Sequence, residues 1–153
     1  MRKPSALVAI AVCALTGCGT GPTSRPVTNP VEIGRLARIT IPASATGLQS
    51  ATDHGVSWFS APDYAVWGRF DIPEGDLPLV LAGTQEENKA KPYPGYSNVT
   101  SHTTPEPWWH PEQLRNPQVA EWSLVGPRFS VNLMSGGSEQ DGMVTVYFFN
   151  FKM

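Results

Sequence analysis

Two kinds of pattern alternate along the chain: runs in which apolar residues recur at every second position, and long stretches with almost no recurrence. The clearest run is residues 64–72, where Tyr64, Val66, Phe70 and Ile72 fall on one side with Gly68 between them, and Ala65, Trp67, Arg69 and Asp71 fall on the other. A period of two with one apolar side predicts a half-buried antiparallel strand. Residues 54–60 read as another strand, and Ala61-Pro62-Asp63 as the turn that makes the two a hairpin. Further on, Phe129, Val131 and Leu133 share a face within residues 128–134. In residues 143–151 Val144, Val146 and Phe148 alternate with Thr145, Tyr147 and Phe149. That last strand is apolar on both sides, as expected of one covered on both faces. Turn-forming residues 135–142 join the pair. Residues 121–125 and 38–42 predict two more strands, the second ended by Pro42 and so placed at an edge.

Helical spacing is clear at one place. Asp76 is a suitable N-cap for Leu77, Val80 and Leu81, which share a helical face, and Pro78 is tolerated in the first turn. Gly83 ends the helix in its short form. From about 85 to 117 the chain is a long loop, broken by Pro92, Pro94, Pro105, Pro107, Pro111 and Pro117, with one helical turn at 111–115. The sum is a single α+β domain over residues 38–153. Its mostly antiparallel sheet has five or six strands and carries one short helix packed on a face. No internal repeat is present.

The N-terminal pattern is of another kind. Arg2 and Lys3 precede the apolar run 6–14, which has the length of a signal-peptide core and is shorter than the ~20 residues of a membrane-spanning helix. Leu15-Thr16-Gly17-Cys18 follows. This resembles the lipobox of bacterial lipoproteins. The resemblance covers residues 1–18 and implies a signal peptide at 1–17, cleavage between Gly17 and Cys18, and a diacylglycerol thioether on Cys18. Acylation of the new α-amino group would add a further chain, and two or three chains make a stable anchor where one is marginal. In many Gram-negative bacteria an aspartate after the lipidated cysteine favours inner-membrane retention. Gly19 stands there, which implies an outer-membrane protein facing the periplasm, or the outer face of the plasma membrane where the host has one membrane. Residues 18–37, with Pro22, Pro26 and Pro30 and few large apolar side chains, read as the lipidated cysteine and a flexible tether.

Cleavage changes the charge. The full chain has 11 basic and 13 acidic residues, a net charge of −2, and without Arg2 and Lys3 the balance is −4. A surface of that sign argues against nucleic acid as a partner and against polybasic attraction to anionic lipid, leaving attachment to the acyl chains. The two cysteines are Cys13, in the discarded segment, and Cys18. The processed domain therefore offers no thiol chemistry, disulfide or cysteine metal site.

Other chemistry is sparse. His102, Glu106, His110 and Glu112 lie close enough in sequence to suggest a metal-dependent hydrolase, but Pro105, Pro107 and Pro111 preclude the helical spacing that would align them. No serine stands in a G-x-S-x-G elbow, no phosphate-binding glycine loop is present, and the carboxylate pairs sit in polar segments. The reading is of a protein that is not an enzyme and has no cofactor and no metal. Aromatic content is the signal above background: Trp58, Trp67, Trp108, Trp109 and Trp122, with Tyr93 and Tyr96. In the polar loop, Trp108, Trp109, Tyr93 and Tyr96 form a candidate binding surface, since indole and phenol rings anchor protein interfaces and stack on sugars. The two tryptophans can equally fold back as a plug on the sheet. Two functions remain: binding another protein, by neutralising a toxin or enzyme or supporting an envelope assembly, or binding periplasmic glycan through the loop aromatics.

Overall fold

The alternation at residues 64–72 becomes the centre of a single seven-stranded antiparallel sheet. The computed structural model describes residues 25–53, 64–82, 90–104, 106–124 and 129–152. In chain order the strands are β1 (Arg25–Pro26), β2 (Thr46–Asp53), β3 (Tyr64–Pro73), β4 (Lys91–Pro92), β5 (Arg115–Leu124), β6 (Phe129–Gly137) and β7 (Met143–Lys152). Across the sheet they run β1-β2-β3-β7-β6-β5-β4. The α+β, mostly antiparallel character is as expected. The strand number is seven instead of five or six, because the two-residue β1 and β4 pair with β2 and β5 at the margins. At the centre β3 and β7 pair without a slip from Tyr64↔Lys152 to Pro73↔Met143.

One face carries an aliphatic core. Val66, Phe70 and Ile72 of β3 meet Val144, Val146 and Phe148 of β7 and Val131 and Leu133 of β6. Gly68 is required here: a Cβ at that position would lie 2.6 Å from both the Phe148 ring and the Gln49 carbonyl oxygen. The Phe148 ring thus occupies the room that a side chain at 68 would take. Helix α1 (Pro30–Ala37) covers this face with Ile33 and Ala37, both fully buried. Asn29 caps it by accepting from the backbone N–H groups of Val31 and Glu32, and Pro30 stands at its first position. Arg38, left-handed at φ 59°, ends it, and the Ile39 N–H donates back to the Gly34 carbonyl at 3.2 Å.

Two expectations are corrected here. Residues 30–37, assigned to a tether, are a packed helix. Its eight residues form too short a stripe to stand alone, and tertiary burial of Ile33 and Ala37 holds it. Residues 38–42 are not a strand: Arg38 and Ile39 complete the helix stop, and Ile41 packs against the aliphatic core from irregular chain. The edge on that side is the two-residue β1, and inside it lies β2, whose small residues suit their neighbours, Ala51 lying opposite Trp67. Helix α2 (Leu77–Leu81) and a 3-10 turn at Pro111–Gln113 form where expected, while β5 begins at Arg115, several residues before the expected 121. The expected strand at 54–60, residues 18–24 of the tether, and Gly17 and Cys18 lie outside the described residues.

Candidate functional site

The opposite face of the sheet is aromatic and is covered by loop. Trp67, Met134, Tyr147, Phe149 and Phe151 project from it, and Tyr93, Val99, Trp108, Trp109 and Leu114 of the loop pack on them. The loop carries one short helix, α3 (Asn98–Ser101), built by local chemistry. Ser97 caps it, with its Oγ accepting from the Thr100 N–H at 3.2 Å while Thr100 Oγ1 accepts from the Ser97 N–H at 3.1 Å, a reciprocal capping box. Val99 is fully buried against the sheet. Tyr93 is tied down twice: its N–H donates to the Pro117 carbonyl at 2.9 Å and its hydroxyl to Thr100 Oγ1 at 3.2 Å.

Trp109 is the pin, 7% exposed, with its indole N–H donating to the His102 carbonyl at 3.1 Å. It stands edge-on to Tyr147 at 5.3 Å and to Trp108 at 6.1 Å. Trp108 is half-buried over the same cluster. The four aromatics singled out from the sequence therefore separate. Trp108 and Trp109 act as a plug, Tyr93 is an internal strut, and Tyr96 alone stands out, 69% exposed, after Gly95 with φ +90°.

His102 sits among rings. It stacks on Phe149 at 4.1 Å with planes 12° apart, lies 4.9 Å from Trp67, and meets Trp109 edge-on at 5.4 Å. Its Nε2 and the Trp67 indole nitrogen are buried and have no hydrogen-bond partner among the described residues. Burial pushes the His102 pKa down to about 4, since the imidazolium would lose its hydration. Beside this cluster, Arg69 lies 5.6 Å from the centre of the Tyr147 ring and pairs with Asp71 at 3.2 Å, and Asp71 accepts from the Thr145 hydroxyl at 2.5 Å. Burial raises the Tyr147 pKa, opposed by the Arg69 charge.

The hydrolase quartet does not assemble. The His102 ring packs against Trp67, Trp109 and Phe149, whereas His110 pairs with Glu112 at 3.2 Å on the surface and contacts the Pro107 carbonyl oxygen through Nε2 at 3.1 Å. Among the described residues no group of three or more His, Cys, Asp or Glu side chains is placed to hold a metal ion.

A line of amides that sequence reasoning missed joins the two faces. The β6–β7 ladder is interrupted opposite Asn132 and Asn150, and their side chains fill the gap. Asn132 N–H donates to Asn150 Oδ1 at 2.7 Å, and Asn132 Nδ2 to the Phe149 carbonyl at 2.7 Å. Asn150 Nδ2 donates to the Ala37 carbonyl at the end of α1 at 2.6 Å, and Asn98 Nδ2 of α3 donates to Asn132 Oδ1 at 2.8 Å. The clue was visible, an amide among the apolar residues of each of two strands.

The surface of the described residues also holds depressions. A polar cleft of about 410 Å³ at the β6–β7 turn is lined by Glu74, Arg115, Gln118 and Asp141. An apolar groove of about 830 Å³ runs beside α1 between Val31, Ile41 and Leu48. Among the described residues no helix is long and apolar enough to cross a membrane. Neither a protein-family model nor a curated protein nor a solved structure matches this chain.

Proposed function

We propose that this chain is a lipid-anchored, non-catalytic protein of the bacterial cell envelope that binds another protein through the tip of its sheet-bound loop, around Tyr96. The anchor and its address rest on Leu15-Thr16-Gly17-Cys18 and Gly19. One observation carries the binding surface: Tyr96 is 69% exposed on a segment held on both sides, by Tyr93 before it and by the Ser97 cap after it. An exposed ring on a fixed backbone loses little entropy on binding and suits an interface anchor. The glycan reading has less support, because its platform needs several open rings and Trp109 is buried.

The test places a photo-reactive residue at position 96 of the full chain in its native membranes, with position 79 as control. A discrete protein adduct at 96, absent at 79 and competed by unlabelled chain, supports the reading. No adduct across several growth conditions, with the chain folded, overturns it. Tryptophan fluorescence unchanged by peptidoglycan fragments separates this reading from glycan binding.

A further inference from the structure

The net charge of the processed chain hides a local asymmetry. Residues 25–38 hold three arginines, Arg25, Arg35 and Arg38, against Glu32 alone, a net charge of +2. Residues 39–153 carry six basic and twelve acidic side chains, a net −6. None of the three arginines is in an ion pair among the described residues. The same region exposes Val31, 79% accessible on α1, at the rim of the groove walled by Ile41 and Leu48. A basic cluster with no ion pair among the described residues, next to an exposed valine and a partly open aliphatic groove, is the composition of an interfacial membrane contact.

Chain length brings this surface to a bilayer. Cys18 precedes Arg25 by seven residues. Seven residues span at most about 25 Å, so an anchor at Cys18 keeps Arg25, which lines one depression with Arg35 of α1, within that distance of the lipid headgroups. Each arginine near an anionic surface adds a weak attraction, too little to recruit a free domain and enough to orient one that is already tethered.

We infer that the α1 surface, with Arg25, Arg35, Arg38 and Val31, docks on the anionic phospholipid bilayer that holds the anchor. The sheet then stands on that bilayer through its aliphatic side. This rests on the lipid-anchor reading. It adds an orientation, and it makes local charge, which the whole-chain balance argues against, a part of attachment.

The test reconstitutes the full processed chain in vesicles of phosphatidylglycerol and phosphatidylcholine in equal parts, and in phosphatidylcholine alone. A spin label is placed by Val31→Cys, with Leu79→Cys as the control, Leu79 being 52% exposed on α2. With phosphatidylglycerol, the label at 31 is expected to be shielded several-fold from a water-soluble relaxant relative to the label at 79. The difference shrinks in phosphatidylcholine alone, at high salt, and in the Arg25→Glu, Arg35→Glu, Arg38→Glu variant. Equal accessibility at 31 and 79 on anionic vesicles that carry the chain overturns docking and leaves the anchor standing. An intact mass showing unmodified Cys18, with the chain free of the vesicles, overturns the anchor and docking with it.

Discussion

The two faces of the sheet are covered by different means. On one, helix α1 seals an aliphatic core with fully buried Ile33 and Ala37, is capped by Asn29, and lends its Ala37 carbonyl to Asn150 of β7. On the other, irregular chain is held down by Trp109, Val99 and several side-chain hydrogen bonds, over a layer that includes an unpartnered imidazole nitrogen. Apolar area is non-directional and tolerates little but volume, whereas aromatic edges and hydrogen bonds fix a loop that has no repeating structure of its own. The helix side should therefore govern global stability, and the loop side should respond to pH and present the exposed tip.

The largest effect belongs to the aliphatic face. Phe148→Ala removes a fully buried ring from the middle of the central strand pair and should cost about 3–5 kcal/mol in urea unfolding. Gly68→Ala attacks the same spot from the other side, driving a Cβ into Phe148 and a backbone carbonyl, and should cost about 1–3 kcal/mol. If the double variant is no worse than Phe148→Ala, the ring alone is what excludes a side chain at 68. A Gly68→Ala protein as stable as the parent breaks this account of the face.

The amide relay tests whether the faces are independent. Asn150→Ala strands the Asn132 N–H and the Ala37 carbonyl, and Asn132→Ala strands Asn98 Nδ2 and the Phe149 carbonyl. Each stranded buried group costs about 1–3 kcal/mol. A double-mutant cycle should show coupling of about 0.5–3 kcal/mol, and hydrogen exchange should quicken in α1 for Asn150→Ala and in α3 for Asn132→Ala. Strict additivity, with each change confined to its own face, would show two separate covers on one sheet.

What was legible follows from the same contrast. In β3 and β7 a period of two, read from Tyr64, Val66 and Phe70 and from Val144, Val146 and Phe148, places each side chain on its observed face. A pleated strand leaves no other choice once one face is apolar. Helix α1 was not legible as a helix, because Pro30 and Gly34 resemble linker composition and its one-sided stripe is short. Asn29 as cap and Pro30 at the first position were the overlooked signals. Strand β2 escaped because Ser50, Ala51 and Thr52 are small and leave room for the larger side chains of β3. For the loop, composition flagged Trp108, Trp109, Tyr93 and Tyr96 together, and no local pattern states which ring turns inward. That depends on contacts with Tyr147 and His102, distant in sequence or held across a turn.

A smaller effect is confined to the loop face. His102 titrates near 6.5 in the unfolded chain and near 4 in the folded protein. Above about pH 6.5 both states are neutral at this position. As pH falls below it the unfolded chain takes the proton first, so stability drains away progressively until the folded protein is also protonated near pH 4. With His102 only partly buried, the loss should reach about 2 kcal/mol. His102→Gln should flatten the stability profile between these limits, and Phe149 resonances should mark the loosening of the stack. An unchanged profile in that variant would move the acid sensitivity to other groups.

The smallest effect on the fold is expected at the exposed ring of Tyr96, the one large aromatic that stands out among the described residues. Tyr96→Ala removes a side chain outside both cores, so stability should change by no more than about 0.5 kcal/mol, with hydrogen exchange of α3 unaltered. Partner capture should nonetheless fall by the tenfold or more that a loss of about 2 kcal/mol at an interface anchor produces. Tyr96→Phe should retain most of the binding if the ring buries itself, and lose it if the hydroxyl makes the decisive bond. A large loss of stability in Tyr96→Ala would place this ring with Tyr93 and Trp109 as part of the loop's own scaffold, and the loop face would then offer a partner no exposed aromatic anchor among its described residues.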